Sequence, residues 1–240
     1  MIYLPELNEV TRRFAALPMS PLTVTARLRG DISPTTGTPI YLDGLLARCV
    51  IESHLGCRVL QNTPEAYWLP LPLKMEWQNS GGLPLWSASC FKSNRALSDV
   101  EYRHKRTPSG RLSDPSRFKS NVGRYMERRT PVTTIAADTL TAHCIGNADE
   151  IKKLLANIKF VGKNRTTGHG EVVGWLIADS DINDPLVIDG MSTRAMPHDY
   201  ASSKYKFNTS PYLVGWTPPQ WKPSLFGMGY PTGTQCITPN

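Results

Sequence analysis

The stretch NADEIKKLLANIKFVGKNRTTGHGEVVGWLIAD (Asn147–Asp179) decides how the chain is read. Asn147 followed three residues later by Glu150 is a helix-start signal. Ile151, Leu154, Leu155 and Ile158 then recur at i, i+3, i+4 and i+7, one apolar face of a helix. Lys152, Lys153 and Asn157 take the other side. The spacing predicts a helix over 148–159. Glu171-Val-Val-Gly-Trp-Leu-Ile-Ala178 reads as a buried strand, so the order is helix, glycine-rich loop, strand. A phosphate-binding P-loop or a dinucleotide fingerprint runs strand, glycines, helix, with the helix N-terminus facing the phosphate. The spacing Gly162-x5-Gly168-x-Gly170 fits neither pattern. The loop also holds Lys163, Arg165, two threonines and His169. Two readings stay open on composition. One is a loop whose cations and hydroxyls meet phosphate oxygens while glycines allow close backbone approach. The other is a helix C-cap at Gly162 followed by an ordinary turn.

At 240 residues the chain can bury a sizeable core in one domain. A hydrophobic content of 40% with mixed charge is that of a folded protein. No apolar run approaches the roughly 18 residues that would span a membrane. Glu6, Glu9, Arg12 and Arg13 exclude a signal-peptide apolar core, and the expected compartment is the cytoplasm. Cys49, Cys57, Cys90, Cys144 and Cys236 are widely spaced, without a C-x2-C pair or a histidine at finger spacing. Buried free thiols are expected, with no metal site and no cofactor.

From the N-terminus, Leu4, Leu7, Val10, Phe14 and Leu17 mark a short helix with Pro5 in its first turn. Leu22–Leu28 alternates as a first strand. Asp43–Leu55 is a first core helix with Asp43 as its N-cap, placing Leu46, Cys49 and Val50 inward. Residues 67–77 and 83–91 are extended around Gly81-Gly82 and form a hairpin. Residues 92–129 then hold 11 cations against 4 acids, while the rest of the chain holds 16 of each. The whole formal charge of +7 therefore lies in 38 consecutive residues that read as a loop-like insertion, with Tyr102, Phe118 and Tyr125 interleaved. Such a localised excess is the electrostatic footprint of a nucleic-acid contact. Thr130–Ile145 reads as one strand, bent or straight. Residues 180–240 read as an extended, proline- and aromatic-rich wrap anchored by Trp216, Trp221, Phe226 and Tyr230, with a short strand at 212–216. The domain layout is one unit: a core of 22–91 and 130–179, the basic insertion 92–129, and the wrap 180–240.

Phe160-Val-Gly-Lys-Asn-Arg-Thr-Thr-Gly-His-Gly-Glu-Val-Val173 resembles the glycine-rich loop of the repeat-associated RNA-binding (RAMP) superfamily of CRISPR systems, and so does its place after a helix and before a strand. Pro39-Ile-Tyr-Leu-Asp-Gly-Leu-Leu-Ala47 is similar to the first-helix start of the type IV handle-capping, Cas five-type member. The resemblance implies an α+β, ferredoxin-like βαββαβ core with the basic segment inserted between its middle strands. It implies a non-catalytic subunit that caps the 5′ handle of the guide RNA (crRNA). Its partners would be the backbone and large subunits of a type IV complex, with target nucleic acid nearby and an associated helicase. RNA contacts are expected from Gly162, Lys163, Asn164, Arg165, Gly168, His169 and Gly170. Glycine N–H groups would donate to the RNA, and His169 would pack on sugar or base. Further contacts are expected from Arg103, Lys105, Arg106, Arg111, Arg117, Lys119, Arg124, Arg128 and Arg129.

An alternative is a repeat-RNA endoribonuclease. Metal-free cleavage needs a base for the 2′-hydroxyl, an acid for the leaving oxygen and a cation for the phosphorane charge, and Tyr102, His104 and Lys105 are the set for it. Relatives that cut their own repeat use a comparable set. His54 and His143 read as structural. A third reading, a basic RNA- or DNA-binding structural protein, explains the charge but not the two motifs.

Overall fold

The computed structural model describes residues 1–34, 39–56, 65–95, 97–106 and 126–239. A 3-10 turn at Pro5–Leu7 leads into helix α1 (Asn8–Ala15), which buries Val10 and Phe14. Strand β1 (Ser20–Arg29) alternates as expected, with Leu22, Val24 and Ala26 inward. Helix α2 (Leu42–His54) follows. A hairpin of β2 (Met75–Gln78) and β3 (Pro84–Trp86) comes next, then the short β4 (Lys92–Ser93). Strands β5 (Ser98–Lys105) and β6 (Arg128–Ile135) pair with each other as an antiparallel ribbon. Strand β7 (Thr139–Gly146), helix α3 (Ala148–Leu155) and strand β8 (Glu171–Asp179) complete this part.

The fold is α+β. Its main sheet has the order β4-β7-β1-β8, antiparallel throughout, with β1 central between β7 and β8. Register places Leu22 opposite Cys144, Val24 opposite Ala142 and Ala26 opposite Leu140, so one face of the sheet is apolar. Helices α2 and α3 pack on each other and share one core with that face, contributing Leu46, Cys49 and Val50 from α2 and Ile151, Leu154 and Leu155 from α3. The Asn147 side chain caps α3 by accepting from the Glu150 amide (3.1 Å). The helix ends a turn earlier than its apolar spacing implied, yet Ile158 stays buried beyond it. Burial pushes the thiols of Cys49, Cys90 and Cys144 up to about 12, so they pack as small apolar groups. Cys57 lies outside the described residues.

Three expectations are corrected. Thr130–Ile145 is two strands in two sheets, separated at 136–138. The inward positions Val132, Thr134, Ala137 and Leu140 slip out of the period of two at that point. The Asn94 side chain holds the break by accepting from the Asp138 and Thr139 amides, both at 3.1 Å. The core boundary set at residue 130 therefore falls inside β6. Residues 180–240 are not wholly extended: helix α4 (His198–Lys204) lies among them. Met196–Pro197, Gly227–Tyr230 and Tyr212–Val214 form a three-stranded antiparallel sheet there. This region has its own apolar cluster, built on Leu186, Met196, Tyr200, Tyr205, Trp216 and Tyr230, to which the hairpin adds Leu85. Trp216 and Tyr230 are anchors, but Trp221 is 67% exposed and Phe226 is 37% exposed. Counting aromatics does not tell which of them face inward.

The third correction concerns Asp43. The N-cap of α2 is Tyr41, and Asp43 sits in the first turn with its side chain fully buried against Arg194. The Arg194 guanidinium donates to Asp43 Oδ2 (2.8 Å), to the carbonyls of Trp86 (2.9 Å), Ala88 (3.0 Å) and Ala195 (3.4 Å), and to that of Trp216. All five of its N–H donors are thereby used. Asp43 Oδ1 accepts from the Gly44 amide and from Gln220, both at 3.0 Å. Burial pushes the Asp43 carboxyl above its ordinary value, while the guanidinium pulls it back down. Removing one member leaves an uncompensated buried charge, which costs about 3–5 kcal/mol. Asp43→Ala is expected to lose that much in chemical denaturation, with Arg194→Met losing a similar amount. A loss below about 1 kcal/mol for either would contradict the reading.

Candidate nucleic-acid interface

The glycine-rich segment is a closed excursion from the end of the α3 unit to β8. Its neck is fastened by Val161 N–H to the Gly170 carbonyl (2.9 Å) and Val172 N–H to the Lys159 carbonyl (2.8 Å). Because α3 ends with Ala156 as its C-cap, Gly162 is not a helix cap. Gly162 (φ 81°) packs so closely that a Cβ would lie 2.8 Å from the Ser33 carbonyl oxygen. At Gly170 (φ 69°) a Cβ would lie 2.0 Å from the Val161 carbonyl oxygen. Both glycines are required by the chain's own packing. Gly168 (φ 91°) differs, since a Cβ there would meet open space.

Residues 31–33, just beyond β1, form the floor of the loop. Ser33 O accepts from Lys163 N–H (2.7 Å) and Asp31 O from Gly170 N–H (2.9 Å). Asn164 takes a left-handed conformation (φ 58°), which asparagine tolerates, and uses both ends of its amide. Its Nδ2 donates to Ser33 Oγ (2.8 Å), and its Oδ1 accepts from Arg103 Nη1 (3.0 Å). Arg103 also donates to Thr167 Oγ1. Ser33 Oγ in turn donates to the Thr133 carbonyl of β6 (3.1 Å). Ribbon, floor and loop are thus one hydrogen-bonded unit. Ser33, Glu101 and Thr133 take part in it without any signal in the sequence, because their partners lie far away along the chain.

Arg165–Thr167 form a 3-10 turn, and the side chains of Lys163 and Arg165 are exposed. Among the described residues neither side chain makes a hydrogen bond or ion pair. Two backbone expectations change. The Gly168 amide donates to Arg165 O (3.1 Å) and the Gly170 amide to Asp31 O, so neither is available to RNA without rearrangement. His169 is 9% exposed, its Nε2 is 3.5 Å from Glu101 Oε2, and the ring lies between loop and ribbon rather than on the surface.

The described part of the basic insertion is built mainly on strand, with β5 (Ser98–Lys105) and the start of β6 (Arg128 and Arg129) where a loop was expected. Arg103 is half-buried against the glycine loop, whereas Lys105, Arg106, Arg128 and Arg129 are exposed. Arg111, Arg117, Lys119 and Arg124 lie outside the described residues. Alternation along β5 puts Tyr102 and His104 on one face and Lys105 on the other, so the ribbon separates the proposed cleavage set. His143 bonds Thr23 Oγ1 (3.2 Å) in the main sheet. Burial lowers its pKa and that of His54.

A family model described as CRISPR type IV associated protein Csf3 matches residues 98–230, more than half of the chain, and begins at the first residue of the ribbon. The chain belongs to the Csf3 family. Csf3 is the Cas5-like subunit of type IV CRISPR systems, so the chain is a component of a type IV CRISPR complex and has partner subunits there. The glycine loop falls inside the matched residues, and the 39–47 motif falls outside them. No curated protein matches the chain. No helix among the described residues is long and apolar enough to cross a membrane.

The contrast between the glycines is measurable. Gly170→Ala is expected to destabilise the protein by several kcal/mol, since a left-handed alanine costs about 1–2 kcal/mol before the overlap with Val161 is counted. Gly168→Ala should cost only that conformational part. Equal losses in urea denaturation would refute the packing argument.

Proposed function

We propose that this chain is a non-catalytic RNA-binding subunit that caps the 5′ handle of crRNA in its type IV complex. The observation that carries the reading is the strapping of a basic ribbon onto the glycine loop through Arg103, with Lys163 and Arg165 left exposed at the same place. Flexible cations beside a fixed loop suit phosphate oxygens, which position a nucleic acid without reading its sequence. In this reading Lys163 and Arg165 meet handle phosphates, and Gly168 offers the open approach. Gly162, Asn164, His169 and Gly170 shape the loop, and Lys105, Arg106, Arg128 and Arg129 extend the positive surface. The separation of Lys105 from Tyr102 and His104 supports binding over cleavage.

The core is proposed as ferredoxin-like. Counting only the main-sheet strands, the sheet order is fourth, first, third, second, with α2 after the first strand and α3 after the third, which supports that topology. The chain is then one domain with the ribbon as its insertion. The subunit would work in the cytoplasm beside a helical backbone subunit, a large subunit, target nucleic acid and a helicase.

Binding of handle RNA should weaken steeply with salt, with a slope of about −0.7 for each phosphate neutralised on a single strand. A Lys163→Ala/Arg165→Ala pair should flatten the slope and lose preference for handle over scrambled RNA, with thermal unfolding unchanged. Gly168→Val should weaken binding by more than loss of one ribbon lysine. If the double variant keeps slope and preference, the loop is only a connection between α3 and β8.

A further inference from the structure

The two faces of the β5–β6 ribbon are chemically different. Glu101 and Arg103 point to the glycine loop, and their side of the ribbon carries the buried Val132 and Thr134. Cross-strand register puts Val100 opposite Thr133, Tyr102 opposite Pro131 and His104 opposite Arg129 on the other side. All six of these residues are exposed. Both acids of β5, Asp99 and Glu101, alternate away from this outer side. On it, the Arg129 guanidinium lies 3.8 Å above the centroid of the Tyr102 ring, and the ring is 48% exposed. Guanidinium and exposed aromatic ring thus lie together, and each is a surface on which a planar ring can stack.

We propose that the outer face of the ribbon is a stacking platform for an unpaired nucleobase. The base continues the Tyr102–Arg129 column, and His104 lies beside it at the backbone. Unpaired bases stack on aromatic rings and on guanidinium planes, and every base has a face to offer. The occupant is a nucleic acid because the face offers Arg129 beside an aromatic ring and a histidine and carries no acid of β5, and the ribbon belongs to the segment that holds the chain's whole formal excess of +7. The assignment rests on the RNA-binding reading above and gives Tyr102 and His104 a role in binding, not in proton transfer. It also divides the cations by function: Arg103 holds the loop, and Arg129 faces the ligand.

The test compares the full-length protein with its Tyr102→Ala and Tyr102→Phe variants. The probes are a single-stranded oligouridine and an abasic ribose–phosphate oligomer of equal length. Removing one stacking ring should weaken oligouridine binding by about tenfold or more. Tyr102→Phe keeps the ring and should bind within about twofold of the parent, since the ring face supplies the stacking. All three proteins should bind the abasic oligomer alike. Wild-type affinity in Tyr102→Ala overturns the platform, as does an equal loss on the abasic oligomer. A loss in Tyr102→Phe matching that of Tyr102→Ala also overturns it. If Tyr102→Ala keeps oligouridine binding but no longer co-purifies with a co-expressed subunit, the face belongs to a protein and the proposal fails. Lys163→Ala/Arg165→Ala in the same assay separates the two ideas. A loss there without one at Tyr102 removes the platform alone, and no binding of either probe by the parent protein removes the RNA reading with it.

Discussion

A guanidinium with no exposed surface sits where the parts of this protein meet. Taking a charge out of water is tolerable only when every donor is satisfied and an opposite charge is close. Arg194 meets both conditions with carbonyls from the stretch around β3 and from the C-terminal region, and with the carboxylate of Asp43 on α2. The contact therefore ties the core that lies under the main sheet to the second cluster built by residues 186–236. Because a guanidinium is rigid and its five donors are fixed in direction, the geometry leaves little freedom for the C-terminal region to dock elsewhere. The same contact explains the Asp43-Gly44 pair. A Cβ on Gly44 would lie 3.0 Å from Gln220 Oε1, so the small residue lets Gln220 reach Asp43.

The glycine loop depends on a second set of constraints, and these are local. Its neck is closed by backbone bonds, its floor is the 31–33 segment, and Arg103 reaches across from the ribbon to Asn164 and Thr167. Since Asn164 bonds to the floor and to the ribbon at once, loop shape and ribbon position are linked. A ligand that displaced Arg103 from the loop would lose that link, whereas a ligand on Lys163 and Arg165 leaves it intact. Among the described cations of the insertion, Arg103 holds the loop, whereas Lys105, Arg106, Arg128 and Arg129 are exposed. A count of charges along the sequence treats them all alike.

What could be read from the sequence follows from how local each feature is. The α3 cap and its apolar face were legible because Asn147, Glu150 and the i, i+3, i+4 spacing lie within a dozen residues. The alternation of β1 was legible for the same reason, as was the hairpin around Gly81-Gly82. The role of Asp43 was not, because its partner is 151 positions away, and an aspartate before an apolar run looks the same whether it caps or pairs. The break between β6 and β7 was hidden because threonines and alanines suit either face of a strand. Helix α4 was hidden by its two serines and its tyrosine, which carry little helical signal of their own. In the site, Lys163 and Arg165 were legible by type, but the inward turn of His169 was not, since only the fold brings Glu101 to it.

The claim that loop and ribbon form one RNA-binding surface is tested most directly by amide hydrogen exchange on the full-length protein with and without handle RNA. The account predicts that RNA slows exchange together in residues 162–169, 98–105 and 128–135, because the segments are bonded into one unit, while residues 196–230 exchange as before. Slowing confined to the C-terminal region, or absent from the loop while present elsewhere, would contradict it.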